Sequence, residues 1–222
     1  MIGRLIVADQ KLVMLNPLLF DKDLVGKWDG SYGAHGLNLL SMTLYFDLIR
    51  ELTAISLDND RRTPSIKNIL RMLDAQDLLT HLKHEYCKPC TLHWSKDLDE
   101  NSKNRLEEKH RKLDLAENEE RFNEIFYSVK DGFKLLEASD LSERIHTSRD
   151  KIIAHYEMRS DVEAPRLYDP SDFGLKWGDV EEYFESIKPI VTNLVLMLAN
   201  EVYPLDEYRI QHAEVAYDFW HK

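Results

Sequence analysis

Cysteine, glycine and proline are scarce in this chain, numbering two, eight and seven among 222 residues. Two cysteines cannot build the disulfide framework of a small secreted domain, and unpaired thiols suit a reducing compartment. So few turn-forming residues argue against a β-rich or low-complexity chain. Positive charge is short as well, with 29 Lys and Arg against 40 Asp and Glu and a net charge of −11. Nucleic-acid affinity rests mainly on lysine and arginine displacing counterions. Any RNA would therefore be met at a local basic patch and released easily.

No long hydrophobic run is present. The most apolar late stretch, "IVTNLVLMLAN", falls short of the ~20 apolar residues that span a bilayer. The N-terminal "MIGRLIVADQKLVMLNPLLF" lacks a cationic head followed by an apolar run and a small-residue cleavage site, so it does not read as a signal peptide. The expectation is a cytoplasmic protein without a membrane partner.

What the chain does have is charge and apolar residues, 31% and 43% of it, arranged with helical spacing. A single body of this length buries about 70% of the surface its unfolded form exposes, so it needs no metal merely to fold. Residues 1–32 leave helix and strand both open, and "KWDGSYGAHG" punctuates the chain with glycines. From Leu37 to Leu57 apolar residues occupy nearly all sides, which predicts a central helix buried all round. Thr63 and Pro64 suit the N-cap and first position of a helix running to about His84.

Residues 99–137 alternate charges of both signs. Only Leu106 and Leu113 are there to bury in the first part, whereas Phe122, Ile125, Phe126, Val129, Phe133 and Leu136 follow at three and four spacing. This predicts a long helix that begins as a solvated arm and ends as a packed element. A further helix is expected over 139–158, a strongly amphipathic one through Tyr183–Leu198, and a short last one. No internal repeat and no strand pattern is visible. The expected fold is all-α, an up-and-down helical bundle with a long charged arm. Its divisions are an N-terminal segment (1–36), the bundle (37–203) and a C-terminal helix packed on the same domain (204–222).

Several clusters carry chemistry in principle. "HLKHEYCKPCTLHW" places His84, Cys87, Cys90 and His93 at intervals of three, and Cys-x2-Cys is half of many zinc sites. The chain has no second cysteine pair to complete one, and a plain turn between helices is the alternative. "DNDRRT" lacks the glycine and distal glutamate of a calcium loop. Asp47, Arg50 and Glu51 sit at i, i+3 and i+4 on the central helix. Charges placed there must be paired or line a cleft, and an ion-pair network is expected.

The remaining stretch is "TSRDKIIAHYE", residues 147–157. Arginine followed closely by histidine also occurs at Arg105 and His110 in the charged arm, so spacing alone says little. The setting of Arg149 and His155 says more. On a wheel of ~100° per residue, Leu141, Ile145, Ile152 and Tyr156 form a buried stripe with His155 and Arg149 on opposite flanks, ~120° apart. At 1.5 Å per residue they are about 9 Å apart along the axis. One such helix does not focus both on one atom, whereas two copies packed about a two-fold axis would bring a pair from each chain to the seam.

With that motif, the chain resembles HEPN domains, whose arginine–x(4–6)–histidine motif pairs across a dimer of helical bundles to form a metal-independent ribonuclease site. The order "YFDLIRELTAISLDNDRRTPSIKNILRML", charged arm, "RDKIIAHYE" is similar to HEPN proteins of the abortive-infection U-type (AbiU-like) group, associated with phage defence. The likeness is best over 37–157. It implies a homodimeric endoribonuclease acting in defence or as a toxin, without a cofactor, with RNA as substrate and an antitoxin or other protein as a further partner. It also implies Arg149 and His155 as catalytic residues, with Lys151, Asp150 and Tyr156 as substrate contacts. Asp150 stands where many HEPN ribonucleases carry asparagine, which weakens the positive field. Tyr156 follows the histidine directly, unlike in HEPN toxins controlled by nucleotidyltransferase antitoxins. The alternatives are a non-catalytic HEPN-type dimerisation or partner-binding module and a zinc-dependent protein.

Overall fold

Residues 2–20, which the sequence pattern leaves open between helix and strand, form α1 (Ile2–Phe20) in the computed structural model, which describes residues 1–88, 99–155, 157–159 and 166–221. Leu5, Leu12 and Leu15 of α1 are fully buried, so this helix belongs to the core. After α2 (Lys22–Trp28) comes α3 (Tyr32–Ser56), the expected central helix. Only its C-terminal half is enclosed: Leu48, Ile49 and Leu52 are buried, whereas Leu39 and Leu40 face solvent.

The helix expected to run from Thr63 to His84 is two helices, α4 (Ile66–Leu73) and α5 (Gln76–Tyr86). Its N-cap is Ser65, whose hydroxyl accepts from the Asn68 N–H at 3.2 Å, two residues later than expected. α6 (Glu100–Glu137) spans 38 residues, about 57 Å of helix at 1.5 Å per residue. Its buried residues begin at Phe122, and Leu113 and Leu115 stay exposed. The arm is therefore solvated in its first half and packed in its second. Where it packs, Gly132 permits the close approach of α8 (Asp179–Ala199), since a Cβ there would stand 3.2 Å from Ile190 Cγ1. α9 (Leu205–His221) lies along α1, and the indole of Trp220 donates to the Met14 carbonyl at 3.1 Å.

Asp47, Arg50 and Glu51 form the expected ion-pair network. Lys11 and Arg4 of α1 complete it, with Arg4 Nε 3.2 Å from Glu51 Oε2. All-α architecture holds throughout the bundle, with one small exception in the described residues. β1 (Met158–Arg159) and β2 (Arg166–Leu167) make an antiparallel pair with Met158 opposite Leu167, where the sequence suggested no strand. No helix among the described residues is long and apolar enough to cross a membrane.

Candidate functional site around Arg149

The helix expected over 139–158 is shorter and changes character midway. α7 (Asp140–Ser148) opens at Ser139, whose hydroxyl accepts from the Ser142 N–H at 3.1 Å. It passes into a π-helical turn over Arg149–Ala154 and ends at His155. The His155 N–H donates to the Asp150 carbonyl, five residues back, at 3.2 Å, and the Glu157 N–H donates to the Lys151 carbonyl at 2.8 Å. A uniform 100° wheel therefore does not describe 149–155, because i→i+5 pairing widens each turn. Such turns are uncommon and occur frequently at functional sites.

α7 is held to the bundle by two polar anchors. The Tyr183 hydroxyl, fully enclosed, meets Ser56 Oγ at 2.9 Å and Ser142 Oγ at 3.3 Å. Ser56 gives its own proton to the Leu52 carbonyl at 2.7 Å. Tyr183 thus donates to Ser56 and accepts from Ser142, and burial pushes its pKa up. Arg144 is the second anchor: Nη1 reaches the Gly174 carbonyl at 2.9 Å and Asp179 Oδ2 at 2.8 Å.

On the outer side of this segment lies a half-open cleft of about 200 Å³, walled by His146, Arg149 and Asp150 on one flank. Thr53, Ala54, Leu57, Asp58 and Asn59, from the end of α3 and the connection after it, form the other. It is smaller than the ~300–1,000 Å³ of typical small-molecule sites. The Arg149 guanidinium donates from Nη1 to Asp150 Oδ1 at 2.7 Å, and His146 Nδ1 lies 3.3 Å from Asp150 Oδ2. Each of the three side chains is 37–38% exposed, so all remain accessible from solvent.

The structure brings Arg149 and Asp150 together in this cleft but leaves His155 outside its walls. His155 is exposed at the end of the π turn, and its ring has no partner among the described residues. Lys151 is engaged elsewhere: its ammonium pairs with Glu157 and sits 5.9 Å from the centre of the Tyr168 ring. The hydrogen bond to Glu157 raises its pKa. Tyr156 lies outside the described residues. His146 was not singled out by the sequence, although its place three residues before Arg149 and four before Asp150 puts all three within helical reach. Asp58 and Asn59 come from the stretch rejected as a calcium loop.

The antiparallel β1–β2 pair is anchored through Asp172. Asp172 receives Arg166 Nη1 at 2.8 Å, pairs with Arg159, and accepts from the Asp169 N–H at 2.8 Å. Arg166 first, then that backbone bond, hold its carboxyl well below the usual carboxylate range.

Cys87 ends α5 and is buried, and burial pushes its thiol up. Cys90 and His93 lie outside the described residues. Among the described residues no three His, Cys, Asp or Glu side chains are grouped to hold a metal.

A family model, HEPN_AbiU2, described as AbiU2, matches residues 4–219. No curated protein and no solved structure matches the chain.

Proposed function

Since the chain belongs to the HEPN_AbiU2 family, a family of abortive-infection HEPN domains, we propose that it is a metal-independent endoribonuclease acting in phage defence or as a toxin. In this reading two copies meet at the segment carrying Arg149 and His155, and RNA is cut at the shared seam. The observation that carries the reading is the placement of Arg149 in an open cleft at a π-helical turn that ends on the exposed His155, whose ring has no partner among the described residues.

The chemistry follows from the side chains. Cleavage without metal requires the ribose 2′-hydroxyl to lose a proton as it attacks the neighbouring phosphate. His155 takes that proton, help worth about 10²–10⁴-fold in rate. Arg149, permanently charged and forked, stabilises the charge that builds on the phosphate oxygens. Lys151, on leaving Glu157, supplies a phosphate contact, and Asp150 and Tyr156 are proposed as substrate contacts away from the phosphate.

A second reading has its own support. Arg149 is already occupied by Asp150 and the net charge is −11, which favours a non-catalytic module that dimerises or binds a protein such as an antitoxin. Incubating the protein with tRNA, mRNA and DNA in excess chelator separates the two. Cleavage confined to RNA, leaving 2′,3′-cyclic phosphate and 5′-hydroxyl ends, supports the ribonuclease, because only RNA has the attacking hydroxyl. A stable dimer that cleaves nothing supports the module.

A further inference from the structure

We infer that His146 is a second catalytic residue of the cleft, protonating the leaving 5′-oxygen while His155 accepts the proton of the 2′-hydroxyl; this rests on the ribonuclease reading above. Cleavage needs two proton transfers. The O2′–phosphorus bond forms as the phosphorus–O5′ bond breaks, one proton leaving O2′ for His155 and one reaching O5′ from His146. The products are a 2′,3′-cyclic phosphate and a free 5′-hydroxyl, and exchange with solvent returns each imidazole to its starting state.

The motif itself supplies one imidazole per chain, and it is not the one in the cleft. His146 lines the cleft with Arg149, and His155 does not. One carboxylate serves both groups: Asp150 Oδ1 takes Arg149 Nη1 at 2.7 Å while Oδ2 faces His146 Nδ1 at 3.3 Å. That contact orients the ring from its Nδ1 side, and Nε2 has no partner among the described residues. The charged groups lining the cleft with it are Arg149, Asp150 and, on the opposite wall, Asp58.

The test compares wild type, His146→Ala, His146→Gln and His155→Ala on two substrates in excess chelator. One is a dinucleoside phosphate; the other is a nucleoside 3′-(4-nitrophenyl phosphate), whose leaving group needs no proton. On the first, His146→Ala and His146→Gln are expected to lower kcat by about 10²–10⁴-fold, with KM within about threefold of wild type. On the second substrate both His146 variants recover close to the wild-type rate, and His155→Ala does not. A wild-type kcat in the His146 variants, or a loss that the nitrophenyl leaving group fails to rescue, overturns the assignment while leaving the ribonuclease standing. A wild-type protein that cleaves neither substrate removes the ribonuclease reading, and this assignment with it.

Discussion

Arg149 and Asp150, neighbours in the chain, are also partners: the guanidinium donates to the adjacent carboxylate at 2.7 Å. A group suited to phosphate is thus held by a group that repels it. Asp150→Asn removes the repulsion and the competing acceptor together. It is expected to tighten binding of a single-stranded RNA several-fold at low salt. Fluorescence anisotropy measures this, and unchanged affinity would place the bound phosphate away from Arg149.

The polar bonds that seat α7 should register in stability. Tyr183→Phe strips the buried Ser142 hydroxyl of its acceptor, at a cost of about 1–2 kcal/mol. Ser148 makes the opposite case, since its enclosed hydroxyl has no partner among the described residues. Ser148→Ala is expected to leave stability unchanged or raise it by about 1 kcal/mol. Urea denaturation gives both numbers, and a Ser148→Ala loss as large as that of Tyr183→Phe would contradict the assignment of bonds.

How far each of these features is legible in the sequence depends on the range of the interaction behind it. The packed half of α6 is visible because Phe122 to Leu136 recur at helical spacing, a local signal. α1 is not, because Asp9 sits buried within it and Pro17 interrupts its pattern. Asp9 is matched by Arg209 at 3.0 Å and His212 at 3.0 Å from α9, partners about 200 residues away. The π turn escapes a wheel built on α geometry. Arg149 and His155 stand out as a motif, but the cleft does not, since its far wall comes from residues 53–59 and His146 completes its near wall beside Arg149 and Asp150.

The two halves of α6 should respond differently to truncation. Leu113→Ala, on the exposed arm, is expected to change stability by less than about 0.5 kcal/mol. Leu136→Ala in the packed half of the same helix should cost about 2–5 kcal/mol. Equal costs at the two positions would mean that the arm is covered by a partner in solution.

Acid should unfold the protein through its paired carboxylates. The side-chain hydrogen bond from Arg62 holds Asp60 down at about 2, and Asp172 is held lower by Arg166. Burial would raise Asp47, but Lys11 and Arg50 outweigh it and its pKa falls. A depressed folded-state pKa contributes stability above the unfolded value of about 3.9 that is lost as pH drops through the folded one. Thermal unfolding midpoints should therefore be level above about pH 5 and fall from about pH 4 to pH 2, with a shallower fall in Asp172→Asn. A midpoint constant down to pH 2 would rule these pairs out as contributors.

The central claim, that His155 and Arg149 cut RNA without metal, is tested most directly by the single-turnover cleavage rate of a single-stranded RNA in excess chelator. Wild type, Arg149→Ala and His155→Ala are compared after each is found to be folded. Wild type should cleave measurably, and each variant should fall by at least about 10²-fold. Wild-type cleavage that survives both substitutions would contradict that claim.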